Sequence, residues 1–267
     1  MSEDSFLLQV LDVSKEFQGH KGRNFVAVKN ASLQIQQGET FGLVGQSGGG
    51  KTTLGLMIMG LVRPTSGEIR YRGQSITGVS EKALRPLRRE IQMVSQNPLE
   101  ALNPVKTVGQ SIALPLINFG FSRLHRRKRV AEVLNLVGLK SADADRYPHE
   151  FSGGQAQRIC IARALAIEPR FVFLDEPVSS LDVSIQAQVL NLLMDLQEEF
   201  GLTYLFVAHD ICVVSFISDR MAVMQRGMIL ESGATSDVIS NPQSNYTRDL
   251  LASVVNVPKR TRPRETG

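Results

Sequence analysis

The stretch GQSGGGKTT, residues 45–53, decides how the chain is read. It holds four glycines, then a lysine, then two threonines. Inside a regular element each glycine is worse than alanine by about 0.5–1 kcal/mol. So many glycines weaken local structure unless the bare backbone has a task. The preceding ETFGLVG (39–45) is a short apolar run that reads as a buried strand, and residues 51–61 read as a helix. Strand, G-x-x-x-x-G-K-T and helix in that order form a phosphate-binding loop. Backbone N–H groups turn inward on phosphate oxygens where any Cβ would crowd them, and the helix adds the positive end of its dipole. The nucleotide-binding set is Gly45, Ser47, Gly48, Gly49, Gly50, Lys51, Thr52 and Thr53. Lys51 reaches the β- and γ-phosphates of the nucleotide, and the Thr52 hydroxyl ligates Mg²⁺. A glycine-rich turn with a chance lysine is the alternative, and the flanking strand and helix disfavour it.

RFVFLDE (170–176) supplies the second half. Four apolar residues of a buried strand end in Asp175, at the sheet edge where such ligands bind. Asp175 is the expected Mg²⁺ carboxylate. Glu176, next along, is the expected general base that orients the attacking water. An acidic pair capping a helix is the bland reading, which the phosphate loop makes the weaker one. Together the two motifs indicate a nucleotide hydrolase without saying which kind.

The 267 residues suffice for one large domain, or one with an inserted subdomain. Apolar residues make up 42% and charged residues 21%, the composition of an ordinary globular chain. Tryptophan is absent and aromatics are 6%, so little suggests a stacking surface for single-stranded nucleic acid. The net charge of +4 is concentrated in SRLHRRKR (122–129) and PKRTRPRETG (258–267). Both are expected to be solvated faces or loose ends rather than nucleic-acid sites, the second a flexible tail over 256–267. Cys160 and Cys212 sit in apolar stretches without metal-ligand spacing and are expected to be reduced core thiols. MSEDSF is not a signal peptide, and the longest apolar run, LGLMIMGLV (54–62), is about half of a membrane span.

Short strands, FLLQVLDV, ASLQIQ (31–36), EIRYRG (68–73) and IQMVSQ (91–96), precede a change of character. From about 105 to 166 the spacing is helical, with no convincing strand. Strands return at 170–176 and 203–210 around a helix at 183–200, and RMAVMQRGMILESG (220–233) reads as a hairpin. The fold class is therefore α/β, a mostly parallel sheet with crossover helices and a helical insert. One domain over residues 1–255 is expected.

FSGGQAQRICIARAL (151–165) resembles the signature of ATP-binding-cassette (ABC) ATPases, and the family's other motifs follow in order. The resemblance spans nearly the whole chain and implies a phosphate-loop NTPase with an antiparallel β subdomain beside the core sheet. Ser152, Gly153, Gly154 and Gln155 resemble the signature that closes over the ATP of a partner chain. SSLD (179–182), ending in Asp182, looks like the D-loop. Gln96 in VSQNP looks like the Q-loop glutamine that ligates Mg²⁺. His209 in VAHD looks like the switch histidine that binds the γ-phosphate. Phe17 in VSKEF looks like the aromatic that stacks on adenine, with Phe25 as a competitor in the same long loop. Phe151 stands where leucine is usual and Ser95 where an aromatic is common. Neither change removes a catalytic group, so an active ATPase is expected, with Lys51, Gln96, Glu176 and His209 catalytic.

REIQMVSQNPLEALNP (89–104), EPVSSLDVSIQAQVLNLL (176–193) and NPQSNYTRDLLASV (241–254) resemble the ATP-binding subunits of bacterial oligopeptide, dipeptide and nickel importers. Asn245 replaces a usual proline. The resemblance implies two integral-membrane permease subunits, a second ATPase subunit of the same or a homologous chain, and an extracytoplasmic substrate-binding protein. It implies a peripheral position on the cytoplasmic face of the cell membrane. A soluble ABC ATPase of DNA maintenance is the rival, but about 105 positions separate Gly45 from Phe151 and carry no heptad run. A regulatory subunit that binds ATP without hydrolysing it is another, and Glu176 with His209 argues against it.

Overall fold

The computed structural model describes residues 6–18 and 24–253. The chain divides into two units, Met1–Val79 with Thr203–Gly267, and Ser80–Leu202. The expected C-terminal tail and the MSEDSF segment up to Ser5 lie outside the described residues.

The first unit opens with β1 (Phe6–Gln18) and β2 (Asn24–Gln36), paired antiparallel, then β3 (Thr40–Val44), α1 (Lys51–Ile58), β4 (Ser66–Tyr71) and β5 (Gln74–Ser75). β4 lies antiparallel on the other side of β1 and carries β5, so four strands form one antiparallel sheet. The two long strands correct the expected loop between short strands. Phe17 and Phe25 are not loop residues but cross-strand partners in register. α1 ends earlier than residue 61, because Gly60 N–H turns back to Met57 O at 2.9 Å and tightens the last turn.

The second unit contains α2 (Glu81–Leu84), α3 (Leu87–Glu90), β6 (Ile91–Val94), α4 (Pro98–Ala101), α5 (Val108–Asn118), α6 (Arg123–Leu136), α7 (Gly153–Leu165), β7 (Phe171–Asp175) and α8 (Val183–Phe200). β6 and β7 are parallel. Among the described residues of 105–166 there are helices and 3-10 turns and no strand. The helix starts follow local chemistry. Thr107 and Gln110 form a capping box at α5, Ser122 caps α6, and Ser152 with Gln155 forms a second box at α7. α8 buries Val189, Leu190, Leu193 and Leu196 on one stripe.

The chain then returns to the first unit with β8 (Thr203–Ala208), α9 (Ile211–Ile217), β9 (Arg220–Gln225), β10 (Met228–Ala234), α10 (Thr235–Ser240) and α11 (Asn245–Ala252). β3 runs parallel between β8 and β9, and β10 pairs antiparallel with β9 as the expected hairpin. Every residue of β3 and β8 is buried, as is every residue of β7 in the second unit. Strands buried on both faces need continuous apolar runs, which is why they were legible as such. No helix among the described residues is long and apolar enough to cross a membrane.

Two expectations change. Cys160 is buried, and desolvation pushes its thiol up to about 11, but Cys212 on α9 is only half-buried rather than a core thiol. The basic run is not wholly a solvated face, because Arg129 is buried. Its guanidinium donates to the Ala166 and Leu165 carbonyls at 3.1 and 3.0 Å, at the C-terminal end of α7. Glu132 and Glu168 balance its charge at 3.2 and 3.7 Å. A cation there satisfies orphan carbonyls and meets the negative end of the helix dipole. Arg129→Met is expected to lower the unfolding free energy by about 1–3 kcal/mol, the effect of stranding buried acceptors. Urea denaturation measures it, and Arg129→Lys should restore only part, since a single ammonium lacks the fork that reaches both carbonyls.

Candidate functional site

The parallel register of the first unit places its functional residues. Val44 at the end of β3 pairs with Ala208 at the end of β8 and with Val223 of β9. Parallel strands deliver their carboxyl ends to one edge, so the loop that begins at Gly45 and the His209 that follows Ala208 leave the sheet together. Gly50 caps α1 at φ +97°, and a Cβ there would run into the Ala27 carbonyl. Only glycine allows both the left-handed backbone and that approach. Ser47, Gly48 and Thr52 are exposed, Thr53 is half-buried, and no atom among the described residues lies within 4 Å of a Cβ built on Gly48. The loop is thus an open cradle of backbone N–H groups at a helix N-terminus, which fits a polyphosphate.

Lys51 is 4% exposed, and its ammonium donates to Gly45 O at 2.7 Å and Gln46 O at 3.0 Å. Gly49 N–H also donates to Gln46 O, at 3.1 Å. From outside, Gly227 N–H at the β9–β10 turn donates to Gly49 O at 2.9 Å. The cation is therefore set into the loop's own carbonyls rather than loose at its mouth. His209 is exposed, and it is Asp210, not His209, that caps α9 by accepting from Cys212 N–H at 2.8 Å. The α9 cap is thus made by Asp210, and His209 stands at the carboxyl end of β8 beside it. Phe17 and Phe25 are 40% and 60% exposed, and Lys15 Nζ lies 4.8 Å from the Phe17 ring centre.

In the second unit the same logic operates. Val94 pairs with Leu174, so Gln96 and Glu176, each two residues further on, leave one edge together. Gln96 Nε2 donates to Glu176 Oε2 and to Ser179 Oγ, both at 3.4 Å. The Ser179 hydroxyl donates to Glu176 O at 3.1 Å. Asp175 and Glu176 are 6% and 9% exposed, and Glu176 has φ +47°. Among the described residues Asp12, Asn30, Arg72, Glu168 and Arg226 share this left-handed backbone but are exposed, so it is burial that sets Glu176 apart. Ser179 belongs to the SSLD motif, but nothing in sequence spacing marks its link to Gln96.

Ser152, Gly153 and Gln155 are exposed at the start of α7, and Ser152 Oγ accepts from Gln155 N–H at 3.3 Å. Phe151 is buried under the Arg146 guanidinium, 4.1 Å from its ring centre. Arg146 also donates to Glu150 O at 2.7 Å and pairs with Asp143 at 2.9 Å. The aromatic that replaces leucine is thereby used as a cation–π platform beside the signature. Asp182 is exposed at the start of α8 and makes no side-chain cap there. The donors expected for Mg²⁺, Thr52 in the first unit with Gln96 and Asp175 in the second, are all oxygen donors, as a hard cation requires.

A family model described as ABC transporter matches residues 28–179. The chain belongs to this family. It is 50% identical over 251 residues to the oligopeptide transport ATP-binding protein OppF of Streptococcus pyogenes serotype M1, covering 93% of this chain and 81% of that protein. It is 51% identical over 244 residues to the glutathione import ATP-binding protein GsiA of Salmonella paratyphi A, covering 91% of this chain but only 39% of that protein's length. A solved dimeric post-hydrolysis state of the ATP-binding cassette MJ0796, bound to ADP and Pi, matches with a TM-score of 0.78 and 32% identity, covering 85% of this chain and 98% of that one. The fold class read from sequence is that of these cassettes.

Gly154 is the tight point of the signature. A Cβ built on it would strike the Ile185 side chain of α8. Gly154→Ala is expected to force α7 and α8 apart and destabilise the protein by about 1–3 kcal/mol, the usual effect of overpacking. Hydrogen exchange should speed up at the start of α7, and unchanged exchange there would contradict the close packing.

Proposed function

We propose that this chain is the ATP-binding and ATP-hydrolysing subunit of a bacterial importer that takes up peptides. Hydrolysis rests on one observation, the buried Glu176 carboxylate held in left-handed backbone beside Gln96 and Ser179. The cargo class rests on relatives named for oligopeptide transport and glutathione import.

The residues divide the work. N–H groups of the 45–53 loop other than those of Gln46 and Gly49, which donate within the protein, hold the phosphates, and Lys51 offers its ammonium to the β- and γ-phosphate oxygens. Thr52, Gln96 and Asp175 would supply oxygen ligands to a Mg²⁺ ion bound with ATP, which would neutralise charge on those phosphate oxygens. The Gln96 amide nitrogen faces Glu176, which turns its amide oxygen away as an acceptor or ligand. Glu176 takes the proton of the attacking water. His209 donates to the γ-phosphate as negative charge builds there. Phe17, with Phe25 beside it, offers an aromatic face to adenine.

The exposed Ser152, Gly153 and Gln155 at a helix start form a second phosphate cradle on the same chain. It serves the nucleotide of a second ATPase subunit, and Asp182 belongs to that shared boundary. Two such subunits sit beneath two integral-membrane permeases, peripheral on the cytoplasmic face of the membrane, and a substrate-binding protein delivers the cargo.

Glu176→Gln is expected to keep ATP binding while losing turnover by about 10²–10⁴-fold, the scale of a general base. Near wild-type turnover in that variant would sink the assignment. With Mg²⁺-ATP but not with ADP, the same variant should dimerise on size-exclusion with light scattering. A variant that binds ATP and stays monomeric would show that the second ATPase subunit is a different chain.

A further inference from the structure

The sequence motif of the phosphate loop ends at Thr53, yet the loop is hydrogen-bonded from the far end of the chain. Gln46 N–H donates to the Tyr246 hydroxyl at 3.0 Å. Tyr246 lies in the first turn of α11, 200 residues away in sequence. The bond involves one particular peptide plane, the one joining Gly45 to Gln46. Its carbonyl, Gly45 O, accepts from the Lys51 ammonium at 2.7 Å. Its N–H points to Tyr246. In a trans peptide these two groups face opposite ways across a rigid plane. Lys51 grips one edge and Tyr246 the other. If the plane rotates, the carbonyl that seats the ammonium rotates with it.

Tyr246 is itself fixed. Glu231 on β10 accepts from Gln243 N–H at 2.8 Å, from Ser244 N–H at 3.1 Å and from the Thr247 hydroxyl at 2.7 Å. These partners surround Tyr246 in sequence, and Thr247 is fully buried. Burial alone pushes the Glu231 carboxyl up, but these three bonds and the Arg248 charge together hold it below the ordinary carboxylate range. The start of α11 is therefore anchored on a charged acceptor, and hydrogen bonds to charged groups are the stronger ones. Its first turn carries the hydroxyl to the loop.

We propose that Tyr246 is a positioning residue for nucleotide binding, clamping the Gly45–Gln46 peptide so that the Lys51 ammonium is seated for phosphate. Glu231 is the anchor that holds Tyr246 in place. The proposal rests on the reading of residues 45–53 as the nucleotide site. It gives the C-terminal helix a part in ATP affinity although none of its residues lies in a nucleotide motif. The loop's other bonds survive without the tyrosine, since Gly49 N–H donates to Gln46 O within the loop and Gly227 N–H to Gly49 O from outside it. The effect is thus one of orientation rather than of loop integrity.

Tyr246→Phe removes the acceptor oxygen and keeps the ring. In the full-length purified chain, calorimetric titration with Mg²⁺-ATP and with Mg²⁺-ADP should show Kd raised for both nucleotides by about 2- to 12-fold, the equivalent of one net hydrogen bond. In steady-state ATPase assays the loss should fall on KM more than on kcat. Glu231→Gln should weaken binding in the same direction, and the double variant should be no weaker than the weaker single one. A purely structural role would lower the unfolding temperature and leave Kd unmoved. An unaltered Kd in Tyr246→Phe overturns the proposal, as does full additivity of the two substitutions. Lys51→Ala in the same titration separates the two levels. If it abolishes binding while Tyr246→Phe does nothing, only the positioning role fails. If Lys51→Ala binds ATP as well as wild type, the phosphate-loop reading fails with it.

Discussion

Parallel strand pairing is the constraint on which the functional residues depend. Parallel strands send every carboxyl end to the same edge, so register alone decides which loops become neighbours. Val44 opposite Ala208 places the phosphate loop and His209 on one edge of the first unit. Val94 opposite Leu174 places Gln96 and Glu176 on one edge of the second. A shift of one residue in either pair would also exchange the side chains of the two buried faces, because the side-chain period is two. The buried apolar character of β3, β7 and β8 thus sets the chemistry as firmly as it sets the core.

Charge within the protein is handled locally. Lys51 is seated on two loop carbonyls, Arg129 on the two carbonyls that end α7, and Arg146 on Glu150 O and the Phe151 ring. For Lys51 and Arg129 a buried cation takes up backbone acceptors that would otherwise be stranded, whereas the Arg146 bond to Glu150 O is exposed. Carboxylates mirror this, with Glu231 gathering donors at the start of α11. Such side chains let short loops hold one geometry without long secondary-structure elements around them.

Much of this is legible in the sequence. The glycine spacing of 45–53, the apolar run into Asp175 and Glu176 and the helical stretch after residue 105 each reflect local physics, and local physics is written in adjacent residues. Capping boxes at Ser152 and Thr107 are local in the same sense. What failed was the reading of segments whose state is decided elsewhere. Residues 14–18 and 24–30 are expected as loop between two short strands, yet they are strand, since each pairs along its backbone with the other. Arg129 looked like one more surface cation in a basic run, and only the end of α7 gives it a buried task.

The sequence by itself determined the fold class, the phosphate loop, the acidic pair and the family, because each is carried by contiguous spacing or by likeness along nearly the whole chain. Only the tertiary structure decided that Phe17 faces Phe25, that Gln96 and Ser179 surround Glu176, and that Tyr246 reaches Gln46 across 200 positions. The physical reason is the same throughout. Residue type limits which bonds a side chain can form, but strand register and helix packing choose the partner, and a segment's period marks which face is buried without marking what it meets.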